Sequence, residues 1–332
     1  MALDGSAAAR RPSFPSSMLT LFLPHAEVVQ RLDALSLLAP MRDGFVAHSR
    51  GRTAPGLVRA TSLPESVIAR VTGVGLVPGL PAYSVSSAAT SAEGAEHATL
   101  LLHDLETGKL LACLEAVHLR AIALALGIAI AADVLARPDA SRVAVIGTSD
   151  GTLRLLKMLR LVRSLRQIRV LEPRPERAEA VAGRAYRELL LPVRVSRNVG
   201  EAVEDAELVL VTAGARGAAP LEWVPDGCHV AVVDPALRDA APAAELLSPS
   251  LRRRARVVVD DRAIAREAGW PDGEIDAELG EVLAAPSVRP PSEVTVHATV
   301  GLPFQELLAA WQVFDSARED PELPRLELTG RR

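Results

Sequence analysis

The residues whose types and spacing most clearly suggest ligand binding form a glycine-containing turn, Gly147–Thr152. This turn directly follows the apolar run Arg142–Ile146. Between a strand and a helix, such a turn can hold the diphosphate of a dinucleotide on backbone amides at the helix N-terminus. The usual pattern has glycine at the first and third positions and a small residue at the sixth. Here glycine stands first, but serine and threonine stand third and sixth, and an aspartate between them adds negative charge. The predicted dinucleotide-binding residues of the turn are Gly147, Thr148, Ser149, Asp150, Gly151 and Thr152.

Four residues outside the turn extend this prediction. Glu172 stands where an acidic side chain would bind a ribose hydroxyl of NAD, whereas Arg174 could meet the 2′-phosphate of NADP. The sequence therefore leaves NAD and NADP open. Thr212 ends a later strand, and His297 lies near the expected cofactor pocket. The alternative interpretation is a βαβ turn that binds no ligand.

Strand and helix patterns alternate around the turn. This alternation is typical of a doubly wound parallel sheet and predicts an α/β fold with a Rossmann-type domain. The predicted strands after the first are Ile168–Glu172, Val193–Val195, Leu208–Thr212, Val230–Val233 and Val257–Asp260, and the clearest helices are about Thr152–Ser164 and Pro175–Leu189.

The chain before Glu115 has a different pattern. Leu19–Ser49 shows helical spacing, with Val28, Leu32, Leu35 and Leu38 expected on one face. Residues 51–87 indicate short strands, and Asp104–Lys109 is expected to turn a hairpin. These features predict a smaller α+β domain whose sheet is antiparallel with helices on one side.

We therefore expect three parts. Residues 1–18 are predicted to be a disordered tail. Residues 19–118 and 300–332 are predicted to form the smaller domain, and residues 119–299 the Rossmann-type domain. A long apolar helix from Glu115 to about Leu135, broken by Pro138, leads into the second of these.

The bulk composition excludes several classes of protein. A net charge of −4 at pH 7 gives no basis for binding nucleic acid or an anionic membrane. The longest uncharged apolar run, Ala121–Ala132, is too short to span a bilayer. Two cysteines, Cys113 and Cys228, are too few for a disulfide framework or a cysteine-based zinc site. We predict a cytoplasmic protein without a metal, in which Lys109 and Lys157 are the only lysines.

A series of landmarks runs in a fixed order along the chain. Together they resemble the motifs of the ornithine cyclodeaminase/mu-crystallin family. The landmarks are Leu102–Ala112, Leu135–Ala140, Glu201–Ala206, Gly227–Val230, Glu278–Leu283 (Glu-Leu-Gly-Glu-Val-Leu) and Val294–Leu307.

The resemblance implies a homodimer in which the smaller domain serves dimerisation and substrate binding and the middle of the chain binds NAD or NADP. Members of that family cyclise ornithine with loss of ammonia, oxidise alanine or reduce cyclic imines. The shared chemistry is hydride transfer at a carbon that bears nitrogen, with the cofactor carrying the redox step.

The sequence departs from that family at its catalytic positions. Arg70 stands where the family has a lysine, and arginine keeps the charge but cannot shuttle a proton near neutral pH. Ala123 stands where the family has an arginine that clamps the substrate carboxylate. Arg120, one helical turn earlier, could reach the same space or could be a surface arginine. Asp234 lies slightly before the position of the family's catalytic aspartate and could instead cap a turn.

A further arginine of the family, in its Pro-x-Arg segment, has no clean match here, and Arg59 and Arg52 are the two options. The predicted catalytic residues are therefore Arg70, Asp234 and Arg120.

Two functions are consistent with these residues. The first is an NAD(P)-dependent oxidoreductase acting on an amine or imine, a small molecule or an amino acid held on a peptide or carrier, in specialised biosynthesis. A masked substrate carboxylate would suit the missing clamp. The second is a non-catalytic family member that keeps the fold as a binding protein or partner subunit.

Overall fold

A computed structural model of the chain describes residues 19–54, 58–62, 68–91, 95–215, 220–233, 243–286, 289–299 and 301–328. The predicted tail, residues 1–18, lies outside these ranges.

The strands are β1 Thr20–Leu23, β2 Val58–Ser62, β3 Ile68–Gly75, β4 Ala82–Thr90, β5 Glu96–Asp104, β6 Leu110–Glu115, β7 Arg142–Ile146, β8 Gln167–Leu171, β9 Val193–Val195, β10 Leu208–Thr212, β11 His229–Val233, β12 Arg256–Val259, β13 Ala277–Glu278, β14 Thr295–Thr299 and β15 Arg325–Leu326. The helices are α1 His25–Arg31, α2 Leu38–Ser49, α3 Val117–Leu135, α4 Thr152–Leu159, α5 Pro175–Leu189, α6 Val199–Val203, α7 Pro249–Arg254, α8 Arg262–Glu267, α9 Leu279–Ala284 and α10 Pro303–Ala317.

The predicted Rossmann-type sheet is confirmed. Its eight strands are all parallel, in the order β13-β12-β14-β11-β10-β7-β8-β9. Every residue of β10, β11 and β14 is buried, because helices cover both faces of a sheet of this kind. The chain runs outward from β7 to β9 and then returns to β10 on the other side of β7. The strand order therefore reverses between β7 and β10, and ligands of such sheets bind at that point, beyond the carboxyl ends of the strands.

The second sheet has seven strands in the order β15-β1-β6-β5-β4-β3-β2. The predicted hairpin is present, since β5 and β6 pair antiparallel around the turn that follows Asp104. The prediction of a purely antiparallel sheet is wrong, because β1 pairs parallel with β6. The prediction of a continuous helical pattern over Leu19–Ser49 is also wrong. A strand and two helices share that segment, and Leu35 is 60% exposed, because the chain turns between α1 and α2.

Helix α3 contacts elements of both sheets, including β5, β11 and β14. It is long and apolar enough to cross a membrane by composition, but 61% of its apolar window is buried inside the protein. It is therefore a core helix, as the sequence predicted. Helix α10 returns from the end of β14 to pack on α3 and on β3, β4 and β5. The connection between β14 and α10 consequently joins the Rossmann-type sheet to the second sheet.

Candidate functional site

The glycine turn joins β7 to α4 as predicted, and its first glycine is required by geometry. Gly147 has φ +74°, a left-handed conformation that side chains rarely adopt. A Cβ at this position would lie 2.1 Å from the backbone nitrogen of Ala215. The turn therefore packs directly against the backbone of Gly214 and Ala215, which follow β10, and closes the point where the strand order reverses.

The substituted positions of the turn do not fill the space in front of α4. The Asp150 side chain is fully exposed and lies 3.8 Å from the Arg177 guanidinium. The Thr152 side chain is buried, and its hydroxyl accepts a hydrogen bond from the Ser149 amide at 2.9 Å. A Cβ on Gly151 would meet only the Ser149 hydroxyl, at 3.6 Å. The helix thus begins at a residue with a single neighbouring side chain, and backbone amides and the helix dipole at such an N-terminus favour an anion.

Glu172, the predicted ribose ligand, is tied to the turn by hydrogen bonds. Its carboxylate accepts from the Thr148 hydroxyl at 2.7 Å and the Thr148 amide at 3.1 Å. The Arg174 Nε donates to the other oxygen at 2.8 Å. The Glu172 side chain is only 1% exposed, whereas the Arg174 side chain is 62% exposed. In this arrangement Glu172 holds the turn in place, and Arg174 faces solvent at the end of β8.

The same contacts keep Glu172 ionised. Burial by itself would raise the pKa of its carboxyl, but hydrogen bonds from Thr148 and Arg174 outweigh burial and lower that pKa below the ordinary value. A carboxylate therefore stands at the end of β8 at neutral pH.

The other predicted cofactor residues lie deeper. Thr212 ends β10, is 1% exposed, and accepts a hydrogen bond from the Gly214 amide at 3.2 Å. His297 is fully buried in β14, and its Nε2 lies 3.0 Å from Oδ1 of Asp260, which is also fully buried. The structure thus brings Thr212 to the carboxyl edge of the sheet but leaves His297 beneath that edge.

An ion pair between α3 and α10 was missed by sequence reasoning. The Arg120 Nε donates to the Glu306 carboxylate at 3.0 Å, and the Ser86 hydroxyl donates to the other Glu306 oxygen. Both charged side chains are largely buried, with 17% of Arg120 and 11% of Glu306 exposed. Glu96 approaches the same guanidinium at 3.6 Å. The charge of Arg120 is therefore already compensated within the protein.

Ala123, which stands where the family has its clamping arginine, also contacts another part of the protein. Ala123 is 1% exposed, and its carbonyl accepts a hydrogen bond from the Gln305 side chain at 3.2 Å. Gln305 in turn accepts from the Leu302 amide at 2.6 Å. The landmark Gln305–Glu306 was visible in the sequence, but nothing there indicated that its two side chains would bind α3.

Arg154, on α4, is a second charged residue near Glu96. Burial lowers the pKa of the Arg154 guanidinium, and the nearby Glu96 carboxylate opposes this shift. Burial, together with Arg154 and His25, lowers the pKa of His118 on α3, so His118 is neutral near pH 7. These groups lie where α3 and α4 meet, and sequence reasoning assigned no role to Arg154.

The structure gives the backbone position of some of the remaining predicted residues but does not describe all of them. Arg70 lies in β3, between Ala60 of β2 and Ala88 of β4. Arg59, one of the two options for the missing Pro-x-Arg residue, lies on β2 opposite Val71. The other option, Arg52, is exposed after α2. Asp234 lies outside the described residues. No group of three metal-ligating side chains occurs within the described ranges.

Taken together, the N-terminus of α4 lies at the carboxyl edge of an eight-stranded parallel sheet, at the point where the strand order reverses. Helices α3 and α10 pack between this sheet and the second sheet. This is the arrangement of a two-domain dinucleotide-binding protein.

Comparison with known proteins specifies the class. The sequence profile of the ornithine cyclodeaminase/mu-crystallin family matches residues 27–321. The chain belongs to this family.

Its relatives are distant in sequence. Ketimine reductase mu-crystallin of Mus musculus is 28% identical over 313 residues, which cover 89% of this chain and 96% of that protein. A Delta(1)-pyrroline-2-carboxylate reductase of Bacillus cereus is 26% identical over 241 residues, covering 69% of this chain and 73% of that protein.

Solved structures confirm the fold. Delta(1)-pyrroline-2-carboxylate reductase of Thermococcus litoralis, in complex with NADH and L-proline, has a TM-score of 0.80 at 21% identity, covering 92% of this chain and 100% of that one. The iminosuccinate reductase of Paracoccus denitrificans, in complex with NAD+, has a TM-score of 0.81 at 19% identity, covering 93% and 100%. An archaeal alanine dehydrogenase dimer with bound NAD has a TM-score of 0.78 at 18% identity, covering 94% and 100%.

Proposed function

We propose that this protein is a nicotinamide-dependent oxidoreductase that transfers hydride between the cofactor and the carbon of a C=N bond. The observation that carries the proposal is the N-terminus of α4, where a Cβ on Gly151 would meet only the Ser149 hydroxyl, at 3.6 Å, beside a turn whose first glycine is sterically required. Of the other substituted side chains, Asp150 is exposed and Thr152 is buried.

In this proposal, different elements of the chain would bind the diphosphate, the nicotinamide and the substrate. When bound, the nicotinamide supplies or accepts the hydride. The turn 147–152 would hold the diphosphate on backbone amides, since amides at a helix N-terminus favour negative charge. The carboxyl ends of β10 and β14 would line the nicotinamide half, across the point where the strand order reverses. Helices α3 and α10, with β4, would hold the substrate half.

The charges at the end of β8 favour NADH over NADPH. Arg174 is paired with Glu172 at 2.8 Å, and Arg177 lies 3.8 Å from Asp150, so each arginine already faces a carboxylate. A 2′-phosphate would add about two negative charges beside the ionised Glu172. We therefore propose NADH as the preferred cofactor. Replacing Glu172 with Gln should shift the ratio of the two dissociation constants toward NADPH.

The Arg120–Glu306 pair supports a substrate without a free carboxylate near α3. A guanidinium gains less from binding a substrate carboxylate when carboxylates of the protein already compensate its charge. Here Glu306 and Glu96 compensate Arg120, and Ala123 provides no charge. A cyclic imine whose carboxyl is an ester or an amide, as in a peptide- or carrier-bound amino acid, would fit this half better than a free imino acid. We propose specialised biosynthesis as the setting for such a substrate.

Two measurements test the proposal. NADH titration by fluorescence should show saturable binding, and Gly151→Ala should weaken it. Ester or amide derivatives of a cyclic imine should then be reduced with a higher kcat/KM than the free acid. Absence of NADH and NADPH binding would refute the redox function, and preference for the free acid would refute the substrate class.

A non-catalytic binding role is the second candidate, and the same Arg120–Glu306 pair favours it. NADH binding without reduction of any cyclic imine, in acid, ester or amide form, would support that role. We also propose a homodimer, which light scattering of the purified chain would test.

A further inference from the structure

Two consecutive aspartates follow β12, and the first contacts three groups of β14 and the turn beyond it. Asp260 is fully buried. Its Oδ2 accepts hydrogen bonds from the Thr299 hydroxyl at 2.7 Å and from the Gly301 amide at 3.3 Å. Its Oδ1 faces Nε2 of His297 at 3.0 Å. One carboxylate thus links the end of β12 to both sides of the β14–α10 connection.

The geometry defines which nitrogen of His297 contacts Asp260. Its Nε2 faces a carboxylate oxygen, which accepts, so this nitrogen donates the hydrogen bond. His297 therefore fixes the orientation of the Asp260 carboxylate.

The segment held by Asp260 connects the Rossmann-type sheet to α10, which packs on the second sheet, and α3 connects the two sheets earlier in the chain. Gly301 has φ +77°, so the chain makes a sharp change of direction here before α10 begins. Just beyond it, Gln305 bonds to the carbonyl of Ala123, and Glu306 bonds to Arg120. A rotation at this connection would therefore move the substrate half relative to the end of β14.

The neighbouring aspartate restrains the same region from the other side. Asp261 accepts a hydrogen bond from the Ile264 amide at 2.9 Å and lies 2.8 Å from Nε2 of His48, on α2. Helix α2 packs on α9 and α10. The end of β12 thus contacts the β14–α10 connection through Asp260 and helix α2 through Asp261.

We infer that Asp260, oriented by His297, is a positioning residue that fixes the β14–α10 connection and thereby the alignment of the nicotinamide with the substrate. This inference rests on the proposed function for its catalytic consequence, although not for the contact itself. A carboxylate buried without exposure is costly unless several donors satisfy it. Asp260 has such donors in His297, Thr299 and Gly301, and together they tie the connection to one defined geometry.

The test compares two buried carboxylates of the same sheet. Asp260→Asn removes the charge at the carboxyl edge, whereas Glu207→Gln removes one at the opposite edge. Glu207 accepts hydrogen bonds from Ser141, Arg142 and Arg137 at the start of β7 and β10. Both variants should lose thermal stability, so stability alone does not separate a positioning role from a structural one.

Two measurements separate these roles. The first is hydrogen exchange, and the second compares the change in kcat with the change in the NADH dissociation constant. In Asp260→Asn we expect amides in 299–306 to exchange at least about tenfold faster, with kcat lowered about tenfold and the NADH dissociation constant changed less than about twofold. Glu207→Gln should leave exchange in 299–306 and kcat unchanged. His297→Phe cannot donate a hydrogen bond to Asp260 and should show the same changes as Asp260→Asn. His297→Gln can donate one and should keep most of the wild-type kcat.

Unchanged exchange in 299–306 of Asp260→Asn would overturn the inference, as would an equal fall of kcat in both carboxylate variants. The exchange measurement needs no cofactor. If the wild-type chain binds neither NADH nor NADPH, the proposed function fails while the exchange comparison still decides whether Asp260 fixes the connection.

Discussion

Two regions of the molecule depart from the family pattern, but the consequences differ. At the turn 147–152, the Asp150 side chain is exposed, the Thr152 side chain is buried, and a Cβ on Gly151 would meet only the Ser149 hydroxyl. Between α3 and α10, Arg120 is paired with Glu306, and Ala123 provides no side chain that can bind an anion. In the proposed function, backbone amides would bind the ligand at the first region, whereas side chains would have to do so at the second. A substitution therefore preserves a site built from backbone more readily than one built from side chains.

The largest effect should come from filling the turn at its packed glycine. Gly147→Ala should cost about 3 kcal/mol of the free energy of unfolding, because it combines a left-handed backbone with a collision against Ala215. Thermal denaturation measures this. The matched control is Gly151→Ala, which has φ −81° and open space.

Gly151→Ala should change the free energy of unfolding by less than about 0.5 kcal/mol. It should nevertheless weaken NADH binding about tenfold, since the added methyl group lies where the diphosphate would approach the backbone. Equal stability of the two alanine variants would contradict the packing at Gly147, and unchanged affinity of Gly151→Ala would contradict the position of the diphosphate.

The next effect tests the substrate end. Glu306→Gln removes the charge that compensates Arg120, so a cyclic imine with a free carboxylate should bind with a KM lower by about threefold to tenfold. Steady-state kinetics with the acid and its ester measure the change. Glu96→Gln is the control, because Glu96 is 40% exposed and farther from the guanidinium, and it should have the smaller effect. An equal response to both variants would show that the buried pair does not determine specificity.

Glu172→Gln examines how the turn is held. Removing a buried charged acceptor should cost about 1–3 kcal/mol at neutral pH. Because the pKa of Glu172 is lowered by folding, its contribution is present above the unfolded pKa, about 4.3, and is lost as the pH falls through the lower folded pKa. The difference in Tm between wild type and variant should thus be constant from pH 6 to about 8 and shrink below about pH 4. A difference that grows toward acid would contradict the ionised state of Glu172.

The smallest expected effect comes from restoring the usual glycine. Ser149→Gly should raise NADH affinity by about twofold to threefold, since removing the hydroxymethyl group widens the approach to the Gly151 backbone. The fluorescence titration used for Gly151→Ala measures it. A gain above about tenfold would mean that Ser149 obstructs the cleft and that the turn is less open than its geometry indicates.

Much of the Rossmann-type half could be predicted from the sequence. Strands β7, β8, β10 and β11 are short apolar runs, and such runs alternating with helices admit few arrangements. The second sheet was harder, because β1 contains only four residues and its parallel partner β6 lies about 90 residues away in the chain. Local patterns carry no information about pairing across such a separation.

Some features of the candidate site could likewise be predicted from the sequence, and others could not. The positions of Gly147 and Glu172 at the ends of β7 and β8 followed from residue types and spacing, whereas the expectation of a clamp, which Ala123 lacks, came from the resemblance to the family. The partners of Arg120 and His297 did not, because Glu306 is 186 residues from Arg120 and Asp260 is 37 residues from His297.

The sequence by itself determined the order of the elements around β7 and the location of the glycine turn between β7 and α4, since both depend on residues that are neighbours along the chain. The tertiary structure alone decided which charges are compensated and whether the altered turn is open. Both depend on side chains brought together from distant segments, and the free energy of a buried charge is set by those neighbours rather than by its own type.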